Sequence, residues 1–294
     1  MVLPAFVAGG LLLLVSCGGG GGGTPASKPK SGRGTGSATD AVRGGPREIT
    51  ATVQGRTIAG ECDGEPVQGA PTIVLDSGQG NDRTQLRPIG DALLDKAMVC
   101  SYDRAGYGES DPAPTPRPIT EVVEDLRVFL HDGNVPGPYF LIGQSQGGAN
   151  AVLYSVLHPD EVAGFVAMNP GPPCALYLRT VAKVMSGEEL ASEVANCKGQ
   201  NEEGIDLRSL SQVLHTSLPP TLPFAIMYAW TCAGPSDEFC HRVRPVESRD
   251  EAALADIGKG GRFVEVKGAD HEIWLTHMGA VLRTVNQVWM QAIG

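Results

Sequence analysis

A serine that could act as a nucleophile lies near the middle of the chain, between two glycines. The apolar run Tyr139–Ile142 leads into Gly143-Gln144-Ser145-Gln146-Gly147, and helix-compatible residues follow as far as Leu157. This order predicts a strand, a sharp turn and a helix, with Ser145 at the turn. The glycines suit a turn at which neighbouring backbones pass close together. A hydroxyl at the positive end of a helix is well placed for nucleophilic attack and for a developing oxyanion.

A serine nucleophile needs a general base, and the sequence offers six histidines. His271 follows the apolar run 262–266 by a short loop and precedes the last helical segment. We expect it to take the Ser145 proton and return it to the leaving group. His277 lies within that last helical segment, and His158 stands at a helix end, so both are better explained by surface or capping roles.

The third member of such a site is a carboxylate that holds the imidazole in the correct tautomer. In the chain order serine, acid, histidine, it should follow the strand predicted at 224–229. The loop beyond that strand offers Asp237, our first candidate, and Glu238, the alternative, although both lie far beyond the strand. Asp256 and Asp270 are lesser candidates.

The oxyanion of an acyl-transfer reaction needs two backbone N–H donors. One should belong to Gln146, directly after the nucleophile, and the other to Gln79, in the loop after the strand predicted at 72–75. Gly78 and Gly80 would let that loop approach the nucleophile. The alternative for this loop is a simple turn without a catalytic role.

These residues must be positioned by strands, and each follows an apolar run. We predict an edge strand at 49–58 and buried strands at 72–75, 97–102, 138–143, 162–168, 224–229 and 262–266, with helices at 87–96, 120–131, 147–157 and 274–293. The sequence therefore indicates an α/β protein with a mainly parallel central sheet flanked by helices. Segment 171–221 lacks a strand pattern and is expected to form a helical cap inserted into the domain. Ligands of such sheets bind at the carboxyl ends of the strands, where the candidates lie.

The composition excludes some classes of function. The chain has 294 residues and a formal net charge of −10, and without residues 1–49 it holds 18 basic and 31 acidic residues, a net charge of −13. An acidic domain without a basic patch argues against nucleic-acid binding. No Cys-x-x-Cys motif or His-rich cluster points to a metal, so we expect neither a metal nor a cofactor. The oligomeric state is left open.

The first 48 residues resemble an export and anchoring segment. Residues 3–15 are mostly apolar but too short to span a bilayer, which predicts a signal peptide at 1–16. Leu14-Val15-Ser16-Cys17 resembles a bacterial lipobox, so we expect Cys17 to carry a lipid, 17–48 to be a glycine-rich tether and 49–294 to be the globular domain. This predicts a protein anchored outside the cytoplasm, with the membrane as a partner through Cys17.

Six cysteines follow Cys17. An even number in an exported chain predicts disulfides, although six cysteines allow 15 connectivities. Proximity along the chain suggests Cys232–Cys240 and Cys174–Cys197, which leaves Cys62–Cys100. Free thiols are the alternative.

Four ordered motifs together resemble the α/β-hydrolase fold superfamily over about residues 50–294. They are Leu75–Gly80, Cys100–Ser110, the Gly143–Gly147 turn and Gly268-Ala269-Asp270-His271. The resemblance implies roles for Ser145, His271, Gln146 and Gln79 as nucleophile, base and oxyanion donors. The chain departs from the family at Ser77-Gly78, where His-Gly is usual, and it lacks the Gly-x-x-Asp expected after the acid-bearing strand. The resemblance also implies that Asp103 and Arg104 brace loops.

We therefore expect a serine hydrolase that cleaves a small-molecule carboxylic ester through an acyl-enzyme. An aminopeptidase or acyltransferase could use the same three residues, since the acceptor at deacylation leaves no mark in the sequence. A rival from another class is a non-catalytic binding lipoprotein that has kept the fold and lost the acid.

Overall fold

The computed structural model of the chain describes residues 45–294, so the predicted signal peptide, Cys17 and nearly all of the tether lie outside the described residues. The strands are β1 (Arg47–Val53), β2 (Arg56–Asp63), β3 (Thr72–Asp76), β4 (Val99–Tyr102), β5 (Arg117–Pro118), β6 (Tyr139–Gln144), β7 (Val162–Met168), β8 (Ile205–Asp206), β9 (Phe224–Tyr228) and β10 (Gly261–Glu265). The helices are α1 (Arg87–Asp91), α2 (Ile119–Asp132), α3 (Gln146–Leu157), α4 (Cys174–Val181), α5 (Gly187–Lys198), α6 (Glu238–Ala255) and α7 (Ile273–Ala292), and 3₁₀ segments lie at Pro159–Glu161 and Arg208–His215.

Eight strands form one sheet in the order β1-β2-β4-β3-β6-β7-β9-β10. All pairs from β4 to β10 are parallel, whereas β2 is antiparallel to both β1 and β4. The chain passes from β3 to β4 on one side and from β6 to β7 on the other side. The connections that leave the neighbouring strands β3 and β6 therefore run in opposite directions. Such a switch point at the carboxyl ends of strands is where α/β proteins bind ligands.

The edge of the sheet differs from the prediction of a single strand at 49–58. The chain forms a hairpin there, because Gln54 and Gly55 both have positive φ values, of 52° and 79°. Two successive residues with positive φ make the tight turn whose twist matches that of the paired strands. β1 begins at Arg47, within the segment expected to be tether, and it runs in the same direction as β4. It therefore enters the sheet at the edge opposite the carboxyl ends of the parallel strands.

Two apolar cores cover the two faces of the sheet. One is built on α2 and α3 and contains Phe129, Leu153 and Phe165. The other is built on α1 and α7 and contains Ile89 and Trp289. β3 and β6 are buried along their whole length, which is the pattern of parallel strands covered on both faces. The continuous apolar runs in the sequence identified these strands for that reason.

The segment between β7 and β9 holds α4, α5, β8 and a 3₁₀ segment. It is mostly helical, as expected for 171–221, but β8 pairs with β5 in a separate two-stranded sheet. α4 packs on α6 through a small apolar cluster that includes Val181, Met185 and Val243. This segment is called the cap below.

All three predicted disulfides are present, as Cys62–Cys100, Cys174–Cys197 and Cys232–Cys240. The first joins the neighbouring strands β2 and β4, and the second joins α4 to α5 within the cap. The third closes the loop before α6. Across residues 45–294, no helix is long and apolar enough to cross a membrane.

Candidate active site

Ser145 occupies the sharp turn between β6 and α3. Its φ of 51° and ψ of −115° lie in a region that a residue with a side chain rarely adopts, so the turn is strained. The Ser145 N–H donates to the Met168 carbonyl oxygen of β7 at 2.8 Å, and its own carbonyl accepts from the Ala149 N–H at 2.9 Å. These two bonds hold the serine at the carboxyl end of β6, at the start of a helix.

The glycines around this turn are required by close packing. A Cβ on Gly143 would overlap the carbonyl of Gly147, and a Cβ on Gly147 would overlap the carbonyl of Asp76. Backbone atoms cannot yield as a flexible side chain can, so only glycine fits at these two positions. The contact with Asp76 places the loop after β3 directly against the turn that holds Ser145.

Two backbone N–H groups are available for an oxyanion. Gln146 is the first residue of α3, so its N–H has no acceptor one turn earlier in the helix. Gln79 lies in the loop after β3, and its N–H forms no hydrogen bond with any residue in 45–294. The loop is kept close to β6 because Gly78 packs on the Gln144 side chain, where a Cβ would overlap the amide oxygen. Neither of the two N–H groups predicted as oxyanion donors therefore hydrogen-bonds another residue of the described chain.

A buried charged network holds the loop after β3. Arg104 is 3% exposed; its guanidinium bonds the Asp76 carboxylate at 2.8 Å and the carbonyls of Ser77 and Gly78 at 2.6 and 2.7 Å. Burial raises the pKa of Asp76, and Arg104 together with hydrogen bonds from its other neighbours opposes that shift. The prediction that Arg104 braces a loop is thereby matched in the structure.

The same network reaches the cap. Glu203 accepts from Arg104 at 2.6 Å and from the Gly80 N–H at 2.9 Å. Asn201 donates to the Gln146 side chain at 2.9 Å. The cap therefore contacts both segments that carry the candidate oxyanion donors.

His271 lies in the loop between β10 and α7, as predicted. Burial lowers the pKa of its imidazole, while the charges of Glu272 and Asp270 act in the opposite direction. Its carbonyl accepts a hydrogen bond of 2.8 Å from the Asn169 side chain, which also accepts from the Ala229 N–H at 2.7 Å. Asn169 thus ties the ends of β7 and β9 to the histidine loop. Within residues 45–294, no hydrogen bond joins the Ser145 hydroxyl to the His271 ring.

The expected position of Asp237 is corrected by the structure. Its carboxylate caps α6, accepting from the Cys240 N–H at 3.0 Å and from the Ala233 N–H at 3.2 Å. Short polar residues with acceptor side chains are favoured at that position of a helix, since the first N–H groups have no helical partner. Both carboxylate oxygens therefore accept hydrogen bonds from α6 and the loop before it, and within residues 45–294 no hydrogen bond joins Asp237 to the His271 ring.

The alternative carboxylates do not replace it. Glu238 begins α6 and is exposed, and Asp256 is exposed just after that helix. Asp270 is a sequence neighbour of His271 and influences it only through its charge. In the part of the chain that the structure describes, no carboxylate hydrogen-bonds the His271 ring, and no group of three or more His, Cys, Asp or Glu residues could hold a metal ion.

Sequence reasoning missed Asn169 and the pairing of Arg104 with both Asp76 and Glu203. Asp76 and Asn169 each stand at the carboxyl end of a strand, and that position was a usable signal. Asn169 also has a positive φ, of 45°, which asparagine tolerates better than most residues. Glu203 carried no such signal, because it lies in an irregular part of the cap far along the chain from Arg104.

Comparisons with known proteins agree with this architecture. A family model described as alpha/beta hydrolase fold matches residues 71–193. A Caulobacter segnis protein provisionally named carbamate hydrolase RutD is 30% identical over 122 residues, which are 41% of this chain and 45% of that protein. An uncharacterized Bacillus subtilis protein, YqjL, is 27% identical over 99 residues, or 34% of this chain and 39% of its own length. The chain thus matches less than half the length of these relatives.

Solved structures resemble the chain over a larger part. An enol-lactonase from Burkholderia xenovorans LB400 superposes with a TM-score of 0.59 at 22% identity, covering 82% of this chain and 99% of the lactonase. A thermophilic esterase from Thermogutta terrifontis gives a TM-score of 0.58 at 17% identity, covering 85% and 99%. At these identities the likeness concerns the fold. With its sheet order and the strained turn after β6, the chain has the α/β-hydrolase fold.

Proposed function

We propose that the protein is a serine hydrolase that cleaves a carboxylic ester through an acyl-enzyme. The observation that carries the proposal is the backbone of Ser145, held at a strained turn between β6 and α3. Strain of this kind persists where the surrounding packing enforces it, and it is concentrated at functional sites. The turn leaves the serine at the start of a helix with an unoccupied N–H beside it.

In this proposal His271 removes the Ser145 proton as the hydroxyl oxygen attacks the ester carbonyl. The carbonyl oxygen becomes an oxyanion that accepts hydrogen bonds from the Gln146 and Gln79 N–H groups. His271 then gives the proton to the departing alcohol, leaving an acyl group on Ser145. Water, activated by His271, hydrolyses that acyl-enzyme and restores the serine. Bonds within such sites often tighten only when substrate is present, which accommodates the open Ser145–His271 geometry.

In this proposal no carboxylate hydrogen-bonds the His271 ring in the role of the triad acid. The histidine is instead held in place through its backbone. Asn169 fixes the backbone of His271, and the nearby charges of Asp270 and Glu272 favour the imidazolium that forms during the reaction. A negative charge close to a histidine stabilises its protonated form. This arrangement supports a lower rate than a complete triad would give.

We further propose that the protein works outside the cytoplasm, attached to the membrane by a lipid on Cys17. The Leu14–Cys17 motif and the glycine run after it support this. The three disulfides support it as well, because such bonds persist in oxidising compartments. Replacing Cys17 by Ser should move the protein from the membrane fraction to the soluble fraction, and unchanged membrane association would refute the anchor.

Covalent labelling tests the proposed chemistry. A fluorophosphonate probe should label the wild type and should not label Ser145→Ala. His271→Ala should slow the labelling strongly, because the nucleophile then lacks its base. Labelling that persists in Ser145→Ala would place the reactive group elsewhere.

A second candidate is a non-catalytic binding protein with the same fold. It is favoured by one observation, the commitment of Asp237 to the start of α6, which leaves the His271 ring without a carboxylate partner. A folded wild type that resists the probe, with melting behaviour equal to that of Ser145→Ala, would favour this candidate.

A further inference from the structure

The Gln79 N–H, one of the two candidate oxyanion donors, belongs to a peptide group whose orientation is fixed by a buried side chain. Arg104 donates to the Gly78 carbonyl at 2.7 Å. The peptide between Gly78 and Gln79 is trans. In a planar trans peptide the C=O and the N–H point in opposite directions. The Gln79 N–H is therefore turned away from Arg104.

The next peptide group is held from the cap. Glu203 accepts from the Gly80 N–H at 2.9 Å, and the Asn81 side chain donates to the Gln79 carbonyl at 3.0 Å. These two bonds act on opposite ends of the peptide between Gln79 and Gly80. Because the peptide groups on both sides of Gln79 are held, its two backbone dihedral angles have little freedom. The direction of the Gln79 N–H is thus set by Arg104 and Glu203 together.

Glu203 also holds the side chain that fixes the first of these peptide groups. Its carboxylate accepts from Arg104 Nε at 2.9 Å and from Arg104 Nη2 at 2.6 Å. Two-point pairing of a guanidinium with a carboxylate fixes direction as well as distance. The Glu203 side chain is 3% exposed and that of Arg104 is 2% exposed, so water competes little for these bonds. One carboxylate of the cap therefore acts on both peptide groups that flank Gln79.

Charge compensation alone does not account for the burial of Glu203. Asp76 already pairs with Arg104 at 2.8 Å, and the Asp76 side chain is 6% exposed. Within residues 45–294, Arg104 is the one cation that forms an ion pair with either carboxylate. Two buried carboxylates on one cation leave a negative charge in excess, and an uncompensated buried charge is unfavourable. The bond from Glu203 to the Gly80 N–H indicates that this carboxylate serves to hold the loop after β3.

A short turn of the cap, residues 201–205, presents Glu203 to that loop. The Asn201 side-chain oxygen accepts from the N–H groups of Glu203 at 3.0 Å and Ile205 at 2.9 Å. The side-chain nitrogen of Asn201 donates to the Gln146 side chain at 2.9 Å. The turn therefore bonds both segments that carry an oxyanion donor, the loop after β3 through Glu203 and the start of α3 through Asn201. Two donors can bind one oxygen atom only if the distance between them is kept.

We propose that Glu203 is a positioning residue that holds the Gln79 N–H in the orientation needed to bind the oxyanion. It acts through its bonds to Arg104 and to the Gly80 N–H, without touching the substrate. Donors that are fixed before charge develops stabilise an oxyanion most effectively. A residue of the cap thereby acts on the rate of the chemical step. This inference rests on the proposed function, because it takes the Gln79 N–H as an oxyanion donor.

The kinetics of two Glu203 variants test this role. Glu203→Asp keeps the charge but shortens the side chain by one methylene group, so Arg104 and the Gly80 N–H cannot both be reached without movement of the loop. Glu203→Gln keeps the length, but its amide nitrogen faces a donor, because both Glu203 oxygens accept hydrogen bonds. A displacement of about 1 Å can cost about 10²-fold in rate. Both variants should therefore lower kcat for p-nitrophenyl isobutyrate about 10²-fold with KM unchanged, since the oxyanion is absent from the bound ester.

Asp125→Asn is the matched control for a loss of stability. Asp125 is also a buried carboxylate bonded by arginines, by Arg56 at 2.9 Å and by Arg117 at 2.6 Å, and it lies on α2. This variant should unfold at a lower urea concentration and keep kcat close to wild type. The proposal would be overturned if both Glu203 variants behaved in the same way, with kcat falling less than about threefold rather than 10²-fold. A rise in KM with kcat unchanged would also overturn it, because that result indicates uniform binding of the substrate.

Hydrogen exchange separates failure of this inference from failure of the proposed function. The Gly80 N–H, followed by NMR without substrate, should exchange about tenfold or more faster in Glu203→Asp than in the wild type, the scale of a hydrogen bond to a charged group. Asp125→Asn should exchange like the wild type at this position. Unchanged Gly80 exchange in Glu203→Asp would overturn the inference whatever the activity. A wild type that neither hydrolyses the ester nor reacts with the fluorophosphonate would instead refute the proposed function.

Discussion

Replacing Asp237 by Asn distinguishes a helix cap from a catalytic acid. In the structure its two carboxylate oxygens accept from the Cys240 and Ala233 N–H groups. Asparagine caps helices about as well as aspartate, so Asp237→Asn keeps the acceptor and loses only the charge near the helix start, worth about 0.3–1 kcal/mol. Alanine removes the acceptor, so Asp237→Ala should cost about 0.5–2 kcal/mol of unfolding free energy.

The value of kcat expected for Asp237→Asn differs by orders of magnitude between a catalytic acid and a helix cap. Asn in place of a triad Asp lowers kcat about 10⁴-fold, because the imidazole is left in the wrong tautomer. A cap at Asp237 predicts instead that kcat for p-nitrophenyl isobutyrate stays within about threefold of wild type in Asp237→Asn, given the small loss expected for a cap that is kept. Urea unfolding of the wild type and both variants supplies the stability ranking.

The controls are Glu238→Gln, the exposed neighbour, and Ser145→Ala, which sets the background rate. Glu238→Gln should leave both kcat and stability close to wild type. A fall in kcat of thousands of fold in Asp237→Asn, with unfolding unchanged, would refute this reasoning. It would show that the loop before α6 rearranges so that Asp237 completes the triad, as the sequence first suggested.

Three further predictions concern the nucleophile turn, its bracing and the base. Arg104→Ala should lower the unfolding free energy by about 3–5 kcal/mol in urea titrations, because Asp76 is left as a buried carboxylate without its cation; a loss below 1 kcal/mol would contradict the bracing role. Gly147→Ala should abolish probe labelling and impair folding because its Cβ overlaps backbone, whereas Gly279→Ala, where the nearest atom belongs to a flexible side chain, should be tolerated. Burial lowers the pKa of His271 below 6.5, so the acid limb of the pH profile of kcat/KM should have an apparent pKa below 6.5. The unfolded state binds this proton more readily, so the same group should reduce stability as the pH drops below 6.5, and a stability that rises there would oppose the assignment.

The parts of the fold that were predictable are those whose sequence pattern reports burial. β3, β6 and β7 each contain a continuous apolar run because both faces of these strands are covered, so the runs identify them directly. α6 was not predicted. It carries many charged residues, contains Pro245, and buries only a narrow set of side chains including Val243 and Leu254. Its pattern therefore resembles a polar loop.

The residues of the candidate site also differ in how far the sequence predicts them. Ser145 and His271 lie beside strand ends, where topology alone fixes their neighbourhood. The disulfide partners followed from nearness along the chain. The hydrogen-bond partners of Asp237 could not be predicted. A carboxylate can cap a helix or orient a histidine, and the path of the loop before α6 decides between these roles. Glu203 and Arg104 are 99 positions apart, so their pairing depends on how the cap folds back over the sheet.

The direction of β1 sets how the domain would face an attachment surface. β1 runs parallel to β4, so the polypeptide before Arg47 joins the domain at the sheet edge opposite Ser145. With an anchor upstream, as proposed for Cys17, the tether would join the domain on the side away from Ser145, so the attachment itself would leave the Ser145 turn uncovered.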